Sequence, residues 1–252
     1  MWDALPSLET LAIALPAVAI AYVIFGIAGF GTALIAAPVL AHSMPVAAIV
    51  PLLALLDCAA AVINGVRLSD KIAKDELTWL VPLMVLGSLV GAYLLLVIPP
   101  RPMLFALGAF VVLYGGRGLL VHPPTTHLAR AWVGLFGSIG GVFSAMFGSG
   151  GFIYAMYLSR RLSDKDAIRA TQSTLIGLST FTRAVIFALA GVYADWRMLM
   201  LAVLLAPGML FGTWAGHHIT LRLSREQFLR ILYVVLIGSG LTLLLRAWAS
   251  AG

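Results

Sequence analysis

The sequence predicts an all-α polytopic membrane protein, and three observations carry that prediction. Hydrophobic residues make up 62% of the 252-residue chain and charged residues only 10%, against about 25% charged in an average soluble protein. Stretches without charge run from Leu77 to Pro100, from Ala131 to Ser159 and from Met198 to Leu221, each long enough for the roughly 20 apolar residues that cross a hydrocarbon core. Mean hydropathy is +1.03, and no polar block is left over to build a separate soluble domain. A soluble fold is excluded, and the expected location is the cell (inner) membrane, crossed several times.

The N-terminal stretch MWDALPSLET carries Asp3 and Glu9 but no Lys or Arg. It lacks the basic region of a cleaved secretory signal, so the first hydrophobic segment is expected to be retained. Cys58 is the single cysteine, which excludes an internal disulfide and a cysteine-based metal cluster. The net charge of +6 comes mostly from Lys and Arg in short loops, the pattern of basic residues held on the cytoplasmic side. No soluble element exists to present a basic face, so nucleic acid is not an expected partner. No metal or other cofactor is expected either.

Hydrophobic segments fall at about 9–41, 44–66, 77–98, 102–121, 131–158, 170–191, 198–218 and 228–248. They divide into two four-segment repeats, residues 1–124 and 125–252, within one integrated membrane domain. Phe25-Gly26-Ile27-Ala28-Gly29-Phe30 in the first segment matches Phe147-Gly148-Ser149-Gly150-Gly151-Phe152 in the fifth. The third and seventh segments match through the spacings Gly87/Gly91 and Gly208/Gly212/Gly216, small residues that let membrane helices approach closely. Gly115-Gly116 and Gly238-Ser239 complete the correspondence between the fourth and eighth. Internal duplication of this kind is common in transporters.

The first and fifth segments are longer than one crossing needs, and each is interrupted by glycines that a helix tolerates poorly. Each is a broken helix or a re-entrant hairpin. With eight simple crossings, the basic loop residues divide almost evenly, 8 against 7. If both long segments re-enter, only Arg101, Arg197 and Arg246 fall outside and twelve fall inside, as the preference for cytoplasmic positive charge favours. That topology also inverts the second repeat relative to the first, and brings the two Gly-rich turns together near the middle of the membrane.

The turns are the first candidate site. Glycine permits backbone shapes that aim consecutive N–H groups into one space, and each turn opens a helix whose free donors favour an anion. The residues are Gly26, Gly29, Gly31 and Thr32 in the first turn, and Gly148, Ser149, Gly150 and Gly151 in the second. Ser144 flanks the second turn, and Thr171, Gln172 and Ser173 open the sixth segment; all can hydrogen-bond a substrate. The bland alternative for the glycines is tight helix packing, and for the hydroxyls a bond back to their own helix. Two ionisable residues lie deep in apolar segments, where charge is costly and faces a cavity or a partner. Arg183, with Thr180 one turn away, is a candidate oxyanion ligand; Asp57, with Asn64 two turns on, is a candidate proton carrier. Their alternatives are a structural pair or snorkelling to the nearer face. His42, His122, His127, His217 and His218 fall near segment ends, where an interfacial role is expected.

The paired segments FGIAGFGTALIAAPVL and FSAMFGSGGFIYAMYL, with Ala170-Thr171-Gln172-Ser173, resemble the sulfite exporter TauE/SafE family, which includes permeases of the toluene sulfonate uptake type. The resemblance covers nearly the whole chain, although the first turn has Ile27-Ala28 where the second has Ser149-Gly150. It implies a secondary transporter, an exporter, of sulfite, sulfoacetate or related sulfur-containing anions. The alternative is an anion channel, since donor-lined turns can also conduct. An enzyme is disfavoured: the chain has no HExxH, no membrane-centred His to activate Ser144 or Ser149, and no paired carboxylates. A retinal site is disfavoured because Lys71, Lys74 and Lys165 all lie in predicted loops.

Overall fold

The structure, a computed structural model, describes residues 8–28, 31–63, 71–120, 128–218 and 225–249. Among these it contains ten α-helices and no strand: α1 (Leu8–Ala28), α2 (Thr32–Leu40), α3 (Val46–Ile63), α4 (Lys74–Val97), α5 (Pro100–Leu120), α6 (Val133–Phe147), α7 (Gly151–Arg161), α8 (Lys165–Leu189), α9 (Trp196–His218) and α10 (Arg225–Ala249). Five stretches are long and apolar enough to cross a membrane: Lys74–Val97, Pro100–Leu120, Arg130–Phe147, Asp166–Leu189 and Trp196–Gly216. Shorter apolar stretches lie in α1, α3 and α10. Large side chains such as Leu86, Val90 and Tyr93 of α4 and Val203, Phe211 and Trp214 of α9 are exposed, which suits a surface solvated by lipid rather than water.

Each overlong segment is two helices. Gly31, at the start of α2, has φ +98°, and Gly148, at the end of α6, has φ +66°. Both lie in the left-handed region that favours glycine. At Gly148 the chain closes α6 with backbone bonds from Gly148 N–H to the Ser144 carbonyl (2.8 Å) and from Ser149 N–H to the Phe143 carbonyl (3.4 Å), a glycine-based helix stop. α2 then packs on α1, and α7 on α6. The sixth segment starts earlier than hydropathy places it. α8 begins at Lys165, where the Asp164 side chain accepts the Asp166 N–H at 3.0 Å; a polar cap adds helix outside the apolar run.

The glycine spacings mark helix crossings and give their directions. A Cβ on Gly87 or Gly91 of α4 would collide with the backbone of Ser138 or Val142 of α6, so these two helices touch backbone to backbone and run parallel. Gly208, Gly212 and Gly216 of α9 lie in turn against the carbonyls of Leu15, Ala19 and Val23, so α9 and α1 also run parallel. α5 and α10 run antiparallel, Gly108 meeting Gly240 while Gly115 meets Tyr233 and Ile237. Not every matched glycine packs: a Cβ on Gly116 or Gly238 would meet nothing within 4 Å. The helices around α3 and α8 form the interior, with Tyr22, Leu34, Leu53, Leu56 and Phe187 among its buried side chains.

Candidate functional site

The chain reversal at Gly148 abuts the start of α2. A Cβ on Gly148 would run into the Ala33 Cβ and come within 3.0 Å of Arg183 Nη1, so one turn touches both the first repeat and the arginine. Beside it lies an ion pair. Arg183 Nη2 donates to Asp57 Oδ2 at 3.3 Å, with Asp57 only 7% exposed and Arg183 only 2% exposed. That burial excludes snorkelling for the arginine.

Four helices supply the surrounding groups. The Tyr22 hydroxyl of α1 donates to Asp57 Oδ1 at 2.6 Å. Thr32, the first residue of α2, places its hydroxyl 3.0 Å and 3.3 Å from the two carboxylate oxygens. From α6, the Ser144 carbonyl accepts Arg183 Nη1 at 3.1 Å, and Thr180, three residues before Arg183 on α8, accepts Nη2 at 3.2 Å. The Ser144 and Ser179 hydroxyls share a 2.6 Å bond. A buried carboxylate with four donor contacts and a buried guanidinium facing it satisfy much of the cost of removing two charges from water. Two buried atoms are left without a hydrogen-bond partner among the described residues: the Arg183 Nε and the Tyr154 hydroxyl, which lies beside Ser179 without reaching ordinary bonding geometry.

Thr32, Asp57, Ser144, Gly148 and Arg183 are thus brought together, with Gly31 adjoining Thr32. The remaining expected residues divide. Ser149 is buried but donates back to the Phe147 carbonyl at 3.0 Å. Gly150 packs so closely on the Gly140 carbonyl and the Ser144 Cβ that no side chain fits, and Gly151 opens α7. Two of the expected turn donors, Gly148 N–H and Ser149 N–H, are consumed by the helix stop described above, and the Ile153 and Tyr154 N–H groups go to the Gly150 carbonyl; the donors left by position are those of Gly150, Gly151 and Phe152. Gly26 packs against the Gly216 backbone at the α1/α9 crossing. Gly29, and also Asn64, His122 and His127, lie outside the described residues.

Thr171 is buried, but its Oγ1 accepts the Ala73 N–H at 2.9 Å, tying α8 to the start of α4. Gln172 is half-buried and Ser173 exposed. At 1.5 Å per residue, all three lie about 15–18 Å along α8 from Arg183; the structure does not bring them to the ion pair. Sequence reasoning passed over Tyr22 and Ser179, whose hydroxyls carry no signal until their neighbours are known. The aromatic cluster of Phe110, Phe143, Phe147 and Phe152, with Phe110 stacked on Phe147 at 5.1 Å, anchors the residues on either side of the second turn.

Residues 14–243 match the sequence profile of the family described as Sulfite exporter TauE/SafE. Among characterised sequences, the chain is similar to the "Probable inner membrane transporter protein TsaS" of Comamonas testosteroni, 27% identical over 204 residues, covering 78% of this chain and 83% of that one. No solved structure matches the chain.

Proposed function

From the premise that the chain belongs to the sulfite exporter TauE/SafE family and is a multi-pass inner-membrane transporter, we propose that it is a secondary transporter that exports a small sulfur-containing anion, such as sulfite, sulfoacetate or another sulfonate, through the site around Arg183. The observation that carries this is the buried guanidinium beside the second turn, with its Nε unpartnered. A planar guanidinium offers paired N–H donors that fit an oxyanion. The starts of α2 and α7 add partial positive charge to the same region. Arg183, Thr32, Ser144 and the backbone N–H groups of Gly150 and Gly151 are the proposed ligands, with Gly148 and Ser149 shaping the turn that presents them, and Asp57 is the proposed proton carrier. No chemistry on the anion is part of this proposal.

An inverted repeat belongs to the same proposal, and the helix directions support it. Long helices joined by short links alternate across a bilayer, so α4 opposes α5 and α9 opposes α10. With α5 antiparallel to α10, α4 and α9 then oppose one another. Since α6 follows α4 and α1 follows α9, α6, α9 and α10 each run against their counterparts α1, α4 and α5. α1 and α4 also oppose one another, which with α3 between them requires α2 to return the chain to the side from which α1 entered. Lys71 pairs with Asp166, and Arg161 with Glu76, as expected if these loops share one face. The distribution of positive charge favours the cytoplasm for that face. Transporters of this architecture hold substrate where the two repeats meet.

The test is anion affinity by calorimetry on purified protein with sulfite, thiosulfate, sulfoacetate and methanesulfonate, followed by counterflow in proteoliposomes. Arg183→Gln is expected to weaken binding roughly ten- to a hundredfold, the equivalent of a charge-assisted hydrogen bond of about 1.5–3 kcal/mol. Arg183→Lys should fall between that variant and the wild type. Unchanged affinity in Arg183→Gln would remove the arginine from the site. Flux without saturation or counterflow would favour the channel.

A further inference from the structure

We propose that Asp57 and the transported anion compete for one edge of the Arg183 guanidinium, formed by Nε and Nη2, so that each anion bound is accompanied by one proton taken up on Asp57. The inference rests on the anion site proposed above and adds its regulation. Nη1 is committed to the Ser144 carbonyl, and Nη2 is shared between Thr180 and Asp57. Nε is buried with no partner among the described residues. Were Asp57 to withdraw from Nη2, the guanidinium would present Nε and Nη2 side by side, the two-donor edge that an oxyanion bridges. With Asp57 in place, that edge is only half used and sterically shared.

Charge conservation dictates the proton. In the structure, the carboxylate and the guanidinium sum to zero. Adding a monoanion alone would leave a net negative charge in a buried site, and an uncompensated buried charge is among the costliest arrangements in a protein. Moving a proton from solvent onto an Asp57 oxygen restores neutrality: an O–H bond forms on the carboxyl, and the anion takes over the pairing with Arg183. The other partners of Asp57 permit this. Tyr22 and Thr32 are hydroxyls, which accept as well as donate, so a protonated carboxyl still finds partners.

The surroundings contain few competing proton sites. Arg183 of α8 and Tyr22 of α1 touch Asp57, Cys58 follows it on α3, and Tyr193 donates to the Pro51 carbonyl on the same helix. α2 offers the Thr32 hydroxyl, and among the described residues no charged side chain other than Arg183 acts on Asp57 from α4, α5, α6 or α9. A carrier that moves one proton with one monoanion is electroneutral. Membrane voltage does not drive it, and export proceeds where the internal anion exceeds the opposing proton gradient.

The experiment uses methanesulfonate, whose own charge does not change across the range examined. Calorimetry on the purified full chain between about pH 5 and about pH 8, repeated in buffers of different ionisation enthalpy, reads both affinity and protons taken up. The dissociation constant should rise about tenfold per pH unit wherever free Asp57 is ionised, with about one proton taken up per anion. Asp57→Asn, a neutral stand-in for the protonated acid, should bind with no pH dependence and more tightly than the wild type at the alkaline end. Wild-type binding that is flat with pH and takes up no proton would overturn the coupling, even if Arg183→Gln still weakened binding as expected and so preserved the anion site. Absence of methanesulfonate binding at every pH would overturn both. The proton count on the wild type stands whether or not Asp57→Asn folds.

Discussion

Two arginines in this molecule face carboxylates that also accept a tyrosine hydroxyl, yet they are held in different ways. At one end of the helices, Arg161 donates through Nε to Glu76 at 2.9 Å while Tyr157 donates to the other Glu76 oxygen at 2.7 Å. Glu76 sits in the first turn of α4 and Arg161 in the last turn of α7, so each charge also faces the favourable end of its helix dipole. In the interior, Arg183 reaches Asp57 through Nη2 alone, at 3.3 Å, and its Nε has no partner among the described residues. The first pair joins two helix ends and is partly open to water; the second is buried, leaves Nε unused and lies against a chain reversal. An arginine fixed through one donor between two helix ends, with the rest of its guanidinium open to water, is a clamp. One that keeps an unused donor in a dry interior can take another ligand without first losing every bond it has.

The largest expected effect is at the turn beside the buried pair. Gly148→Val forces a side chain into left-handed backbone, which costs about 1–2 kcal/mol, and drives its Cβ into Ala33 and toward Arg183 Nη1, where overpacking costs about a further 1–3 kcal/mol. Anion binding should fall below detection by calorimetry and the melting temperature should drop. Normal affinity in this variant would separate the site from the second turn, and the interior pair would then be no more than a second clamp.

Glu76→Gln sharpens the comparison from the other side. The amide still accepts from Tyr157, but Arg161 loses its charged partner. Arg161 keeps 31% of its side chain exposed, so water screens the pair, and the loss is expected to be about 1 kcal/mol. Melting temperature should fall modestly while methanesulfonate affinity and its pH dependence stay as in the wild type. A changed pH dependence would mean that the two pairs are coupled and that the end clamp is part of the site.

How much of this was open to sequence reasoning depends on the kind of residue. Asp57 and Arg183 stand out because a charge in an apolar run is costly enough to need a reason, though the sequence left open whether each served the other. Gly31 and Gly148 were legible because a helix cannot absorb such glycines cheaply, and the structure places left-handed backbone at both. Spacing alone announced close approach at Gly87/Gly91 and Gly208/Gly212/Gly216 without naming the partner helix, which is a long-range property. Thr171 reads like a ligand-binding threonine in sequence, yet its oxygen is engaged by Ala73, 98 residues away. Tyr22 and Ser179 were missed for the converse reason: a hydroxyl in a membrane helix is ordinary until a charged or polar neighbour arrives from elsewhere in the chain. The start of α8 at Lys165 escaped hydropathy because Asp164 and Asp166 stabilise a helix turn that no apolar pattern records.

The smallest effect is expected at the third ion pair, Lys71 with Asp166, which lies beside the Glu76–Arg161 clamp but is open to water, with side chains 55% and 63% exposed. The hydrogen bond from Lys71 to Asp166, reinforced by their opposite charges, raises the lysine above its ordinary range. A group whose folded value is raised contributes its stability below the unfolded value and loses it as pH climbs through the folded one. Both values lie on the alkaline side, so the contribution is constant through the neutral range. An exposed pair also gains little, because solvent screens the attraction and two long side chains must be ordered to make it. Lys71→Ala should therefore shift the melting temperature least of the three pairs, by the same amount at about pH 6 as at about pH 8, with anion binding unaltered. A shift as large as that of Glu76→Gln would mean that burial does not rank these pairs, and the distinction between clamp and site would have to rest on the unpartnered Nε of Arg183 alone.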